Sequence, residues 1–248
     1  MRHILFFLSL FLLYSLNYCH AESFVKNMAI GAKFATIKLL SDNMSTKYQI
    51  IGIGDNTQTY SGGGLQYIQP GIELSALLYL DKKELHRFIG GIEYMSLTSK
   101  EKIDKSAFSS LIAKHNVKLL DIFTGWHYAF WDMDWQEAKL YIGPEIMFNF
   151  MLNNSFSGGT KYKADSEANK IIETKKDPTF RIGSRIRTGV EGKIKNNFYV
   201  NINFAIGIYN LLLRDDSTGE LLNSKNVFDT KESFQPFYNF NIGLQYKF

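Results

Sequence analysis

In this 248-residue chain, the residues with the right types for chemistry are three histidines and a set of charges that recur two apart. His86, His115 and His127 lie beyond the N-terminal stretch. A hydrolase acting on lipid or surface peptides would need a nucleophile and an orienting acid within reach of one of them. Ser109 and Ser110 precede His115, but their spacing is not diagnostic of a nucleophile–base pair. The His, Asp and Glu residues never fall at metal-ligand spacing. No catalytic residue, metal or cofactor is therefore expected, and His127 reads as a hydrogen-bonded residue on a polar face.

The charges carry more information. Lys33, Glu73, Glu93, Asp121, Glu145, Arg181, Arg185 and Arg187 alternate with apolar neighbours, and Lys139, Glu191 and Lys247 follow the same rule. Counting all of them, six bases stand against five acids. Charges that nearly cancel can neutralise one another out of water, provided each finds a partner.

The elements that must position them are strands. A period of two runs through eight segments, about 24–39, 67–80, 88–98, 115–130, 138–151, 179–191, 197–209 and 238–248. The last shows it without an exception: Tyr238, Phe240, Ile242, Leu244, Tyr246 and Phe248 on one face, Asn239, Asn241, Gly243, Gln245 and Lys247 on the other. Such alternation is the signature of strands with one oily and one polar face. The segments exceed the ~5–6 residues usual in globular sheets and reach the ~9–11 that a tilted strand needs to cross a bilayer. Their connections alternate long and short, the long ones being 40–66, 99–114, 152–178 and 210–233. In an up-and-down barrel this places every long loop at one end. Tyr48 to Gly54 could form a further strand, which leaves a ten-stranded barrel as the alternative. Pro144 falls mid-strand, where a bulge or an unpaired neighbour is expected.

Residues 1–21 read as a cleaved secretory signal peptide: Arg2 and His3, a thirteen-residue stretch from Ile4 to Leu16 interrupted by Ser9, Tyr14 and Ser15, then Cys19-His20-Ala21. Cys19 is the single cysteine, so the expected mature domain, 22–248, must be stabilised by its core or by a membrane and not by disulfides. With 28 basic and 24 acidic residues, the net charge is too mild and too evenly spread to argue for nucleic acid. No run of about eighteen apolar residues is present after the leader, which excludes helical spans. A membrane protein of this composition crosses as a closed barrel.

Two closed barrels fit eight alternating strands: one with the oily face inward around a ligand, one with it outward against lipid. The oily face is nearly free of charge. The polar face carries Gly31, Gly91, Gly125, Gly143, Gly183, Gly207 and Gly243, which suit a crowded interior. Aromatics gather near both strand ends, like the two girdles of a membrane barrel. The expected fold is all-β, an eight-stranded antiparallel up-and-down transmembrane barrel with the charges inside.

Eight amphipathic strands, four long loops, a leader and a last strand ending Tyr246-Lys247-Phe248 together resemble small bacterial outer-membrane β-barrels of the opacity-protein and protein-A-type porin kind. The resemblance spans 22–248 and is one of architecture, without a family-specific motif. It implies export across the inner membrane, residence in the outer membrane against its lipid, and Tyr246 and Phe248 as the signal read by the barrel-assembly machinery. No peptidoglycan-binding domain follows from the sequence. The expected function is adhesion or interaction through the loops, with host surface molecules as partners and a lumen plugged by its own charges. A small porin-like channel is the alternative.

Overall fold

A computed structural model describes residues 27–40, 49–53, 57–61, 65, 68–104, 106–162, 170–213 and 234–248. The expected leader, 1–21, lies outside the described residues, as does most of the segment 210–233. Among these residues eleven strands follow one another: β1 (Met28–Leu39), β2 (Gln49–Ile53), β3 (Thr57–Ser61), β4 (Gln69–Tyr79), β5 (His86–Asp104), β6 (Ser109–Met133), β7 (Ala138–Tyr162), β8 (Lys170–Lys176), β9 (Thr179–Lys195), β10 (Phe198–Leu212) and β11 (Gln235–Lys247).

Eight of them close a barrel. Neighbours pair antiparallel in the order β6-β5-β4-β1-β11-β10-β9-β7, and β6 pairs with β7 to complete the circle. Closure leaves no edge strand within the barrel wall. The short connections are Leu80 to Leu85, the 3₁₀ turn Trp135–Glu137, and Asn196-Asn197. Glu84, Gln136, Glu137 and Asn196 hold positive φ in these turns. The long excursions alternate with them, as an up-and-down barrel requires. The Tyr48–Gly54 segment does not enlarge the barrel. β2 pairs with β3 as a separate two-stranded sheet, which lies against β6 and β7.

Pro144 is paired with Ile186 on β9. On the β6 side the pairing lapses between Gly125↔Glu145 and Tyr128↔Ile142 without a change of register. The unpaired neighbour falls where the missing N–H would have pointed.

The strands run further than alternation alone indicates. β6 and β7 are 25 residues each, about 80 Å of extended chain at ~3.3 Å per residue. β5 and β6 stay paired out to Asp104↔Ser110. β7 then pairs with β8 from Asn154↔Lys176 to Thr160↔Lys170. The segments 99–114 and 152–178 are therefore chiefly strand and not irregular loops, and they form a four-stranded sheet, β5-β6-β7-β8, standing on one side of the barrel. Their polar composition hid this. Away from lipid both faces of a strand can be hydrophilic, and the hydrophobic alternation that marks a strand fades.

Candidate functional site: the lumen and the sheet above it

Inward and outward residues separate cleanly. Lys33, Glu73, Glu93, Asp121, Glu145, Arg181, Arg185 and Arg187 are all buried, while Phe34, Ile72, Leu74, Ile146, Ile186, Ile206 and Leu244 are more than half exposed or close to it. The two sets alternate along the same strands, so the polar residues point into the barrel and the apolar ones out.

Register brings the acids together. Glu73 on β4 is opposite Glu93 on β5, and Glu93 is opposite Asp121 on β6. Three adjacent carboxylates would repel one another if left alone, and bases from other strands neutralise them. Lys33 Nζ lies 2.7 Å from Glu73. Arg187, reaching across from β9, donates to Glu73 at 3.0 Å and lies 2.9 Å from Glu145. Arg185 bridges Glu145, at 2.5 Å, and Glu93. Both guanidiniums lie over the Phe123 ring, at 4.6 and 5.0 Å. Asn239 donates to Glu93 and Asn241 to Glu73, each at 2.7 Å. Asp121 takes its hydrogen bonds from Asn149 at 2.7 Å and the Tyr209 hydroxyl at 2.9 Å. Arg181, opposite Asn149, sits a step toward the outer end and donates to the Phe180 carbonyl at 2.7 Å. Glycines provide the room. A side chain at Gly91 would meet the Phe123 ring at 2.7 Å, and one at Gly207 would meet Arg185 and Phe237 at the same distance.

A second ion-pair group lies lower. Arg87 donates to Glu191 at 2.6 Å and stacks 3.8 Å from the Tyr141 ring centroid. Lys247 lies 2.7 Å from Glu84 and 3.4 Å from Glu191, and Lys139 lies 3.0 Å from Glu84. Arg87 lies one residue before the alternation that marks the third strand at Phe88. Its parity with Ile89, Gly91 and Glu93 was the available signal. At this rim two carboxylates titrate low. Burial opposes ionisation of Asp81, but the backbone N–H groups of His86 at 2.7 Å and of Leu85 and Lys83 at 3.2 Å together outweigh it. Glu137 is lowered by its hydrogen bond from Lys193, at 2.6 Å, with the Tyr199 hydroxyl at 3.1 Å.

Above the charges the lumen turns apolar, which alternation did not reveal. Ile37, Leu39, Leu65, Met95, Leu97, Val117, Leu119, Met151 and Phe237 are at most 3% exposed and belong to one buried cluster. Tyr209 stacks on Phe237 at 4.3 Å. Leu65, from the connection between β3 and β4, is fully buried among them.

The histidines are dispersed. His127 Nε2 is 2.9 Å from Glu145, and its ring stacks on Tyr141 at 5.1 Å. His115 is buried within β6, not at a strand end, with Nε2 2.7 Å from Asn154. His86 opens β5 and stacks outside on Trp126 and Tyr128. The Ser110 hydroxyl donates to Asp104 at 2.6 Å, and that of Ser109 lies 3.0 Å from Ser106. Among the described residues no group of three or more His, Cys, Asp or Glu could hold a metal.

Outside, aromatics form bands at two heights. His86, Trp126 and Tyr128 stack at the short-turn end, where Phe198, Tyr246 and Phe248 meet edge to face. Phe148, Phe150 and Phe180 cluster toward the other end, as do Phe204 and Tyr238. A closed barrel that buries charge and exposes a continuous apolar belt between aromatic bands is stable only with lipid around it. The chain is a transmembrane β-barrel.

Known proteins resemble it in architecture alone. No family model matches the sequence, and no curated protein matches it. Among solved structures, Neisserial surface protein A aligns over 90% of this chain and 97% of its own at 14% identity, with a TM-score of 0.47. Ail, the attachment invasion locus protein of Yersinia pestis, aligns over 89% and 97% at 9% identity and 0.34. The outer membrane protease OmpT of Escherichia coli aligns over 90% and 97% at 11% and 0.36. Likenesses of this degree carry no argument about function.

Proposed function

We propose that this outer-membrane barrel is a surface interaction protein whose lumen is closed and whose binding residues lie on the segments 40–66, 99–114, 152–178 and 210–233. One observation carries the reading: the charge lattice is capped by the apolar cluster around Leu65, Leu97 and Leu119, so water and ions meet first a dry layer and then a neutralised one. An eight-stranded barrel is just wide enough for its own side chains. The charge lattice is then structural. The outer sheet β5-β6-β7-β8 offers rigid, solvent-exposed area, and loops on a rigid scaffold commonly bind. Surface molecules of a host are the partner class. The serines near His115 are engaged with Asp104 and Ser106, which speaks against a hydrolase. Tyr246 and Phe248, on the strand that closes against β1 and β10, serve as the signal for the assembly machinery.

Two measurements test this. In planar bilayers the purified protein conducts no steady ion current, whereas a porin-like channel would. On intact cells, replacing residues 100–113 with a short turn removes binding to host surfaces while the barrel keeps its heat-dependent mobility shift. Steady conductance, or undiminished binding without any of the four segments, overturns the proposal.

A further inference from the structure

At its short-turn end the barrel opens into a cavity of about 790 Å³, and one carboxylate is lodged between two lysines on its wall. Lys139 and Lys247 both donate to the same oxygen, Oε2 of Glu84, at 3.0 and 2.7 Å. Each ammonium is also held from elsewhere. Lys139 donates to the Lys83 carbonyl at 2.9 Å. Lys247 lies over the Tyr199 and Tyr79 rings, at 4.1 and 4.7 Å, and 3.4 Å from Glu191. The two cations are therefore preorganised and keep their places without Glu84. Glu84 is less firmly seated. Its side chain is 32% exposed, against 11 and 12% for its two lysines. Its backbone sits at φ 56°, a left-handed conformation that favours glycine. The turn from Asp81 to Glu84 is closed by the Glu84 N–H on the Asp81 carbonyl, at 2.9 Å. Such a turn forms more easily with glycine at its last position.

The cavity is far larger than one carboxylate needs, and its remaining charges are of both signs. Lys82 and Lys83 border it from the turn after β4, and Asp132 and Asp134 from the end of β6 and the turn that follows. None of these four side chains is in an ion pair among the described residues. We propose that the cavity binds a short peptide bearing both a free carboxylate and an amine, and that Glu84 is a built-in competitor for the carboxylate position. On binding, the Glu84 side chain turns out to solvent. The peptide carboxylate takes its place between Lys139 and Lys247, and the peptide amine meets Asp132 or Asp134. A simple inorganic anion would satisfy the lysines and leave both aspartates unmatched. Peptides with carboxylates and amines lie on this side of an outer membrane, in the cell wall. The inference rests on the barrel standing in that membrane with its short turns toward the cell, and it is independent of any host partner at the other end.

The test uses the full-length protein refolded in detergent and titrated calorimetrically with three probes. These are the synthetic tripeptide Ala-Glu-Lys, the same peptide amidated at both carboxyl groups, and inorganic phosphate. Apparent affinity scales with the fraction of molecules whose site is open. Glu84→Gly removes the competitor and suits the turn, so it should bind the tripeptide roughly tenfold more tightly than wild type. Adding K139Q/K247Q to Glu84→Gly should abolish the gain, and adding D132N/D134N should weaken the tripeptide. Amidation should abolish binding to every form. The heat-dependent mobility shift confirms that each variant folds. Equal binding by wild type and Glu84→Gly overturns the proposal, and so does wild-type binding that is indifferent to amidation, which needs no variant. Phosphate held by Glu84→Gly as tightly as the tripeptide overturns the assignment to a peptide. A Glu84→Gly protein that is less stable and binds no tripeptide makes Glu84 a structural ion-pair partner only, and overturns the proposal too. Host-surface binding, measured separately on cells, can fail while peptide binding holds.

Discussion

Arg185→Ala is the sharpest probe of the lumen. In the folded barrel Arg185 joins Glu93 to Glu145, and all three are buried. Without it, Glu145 keeps Arg187 at 2.9 Å and His127 at 2.9 Å. Glu93 keeps its described hydrogen bond from Asn239, beside the carboxyl groups of Glu73 and Asp121 on the neighbouring strands. Breaking a buried pair by removing one partner costs about 3–5 kcal/mol, because the other charge stays out of water. The cost should be read as a shift in urea midpoint at unchanged slope, by tryptophan fluorescence of the protein folded in lipid vesicles. Adding Glu93→Gln removes the stranded charge, so R185A/E93Q should recover a large part of the loss. The single variant should still conduct no current, since the apolar cluster above is untouched. A loss below about 1 kcal/mol, or the appearance of steady conductance, would mean that the lumen is hydrated and the reasoning wrong.

Four further outcomes are expected. Ile186→Arg, on the outer face at mid-strand and 60% exposed, should destabilise by about 2–4 kcal/mol in lipid. A neutral effect would place that face in water. Leu119→Ala, fully buried in the apolar cap, should cost about 2–5 kcal/mol in the same urea assay, and Gly91→Val should prevent the mobility shift because its side chain collides with the Leu74 carbonyl as well as Phe123. Asp81 has a lowered folded pKa, so its contribution is present above the unfolded value of about 3.9 and is lost as pH falls through the lower folded one. The stability gap between wild type and Asp81→Asn should therefore be constant at neutral pH and close in strong acid; a gap that persists there would contradict the backbone bonds assigned to it.

Much of this protein was legible in order along the chain. Alternation of Tyr238 to Phe248 and its seven counterparts established the strands, their two faces and the barrel, because side-chain direction in a strand has a period of two whatever surrounds it. The same parity placed Lys33, Glu73, Glu93, Asp121, Glu145, Arg185 and Arg187 on one wall. Parity says nothing about which strand lies beside which charge. That Glu73, Glu93 and Asp121 stand side by side and are neutralised from β9 follows from register and closure. Both are properties of the whole sheet. Two features were lost for a related reason. In the apolar cap Leu97 and Leu119 lie on the face that reads as polar lower down, Leu65 comes from a connection, and only their position inside a closed barrel makes them core. The sheet of β5 to β8 has water on its outer face, so its strands show little hydrophobic contrast. They became visible once the backbone showed Lys100 opposite Lys114 and Ser157 opposite Glu173.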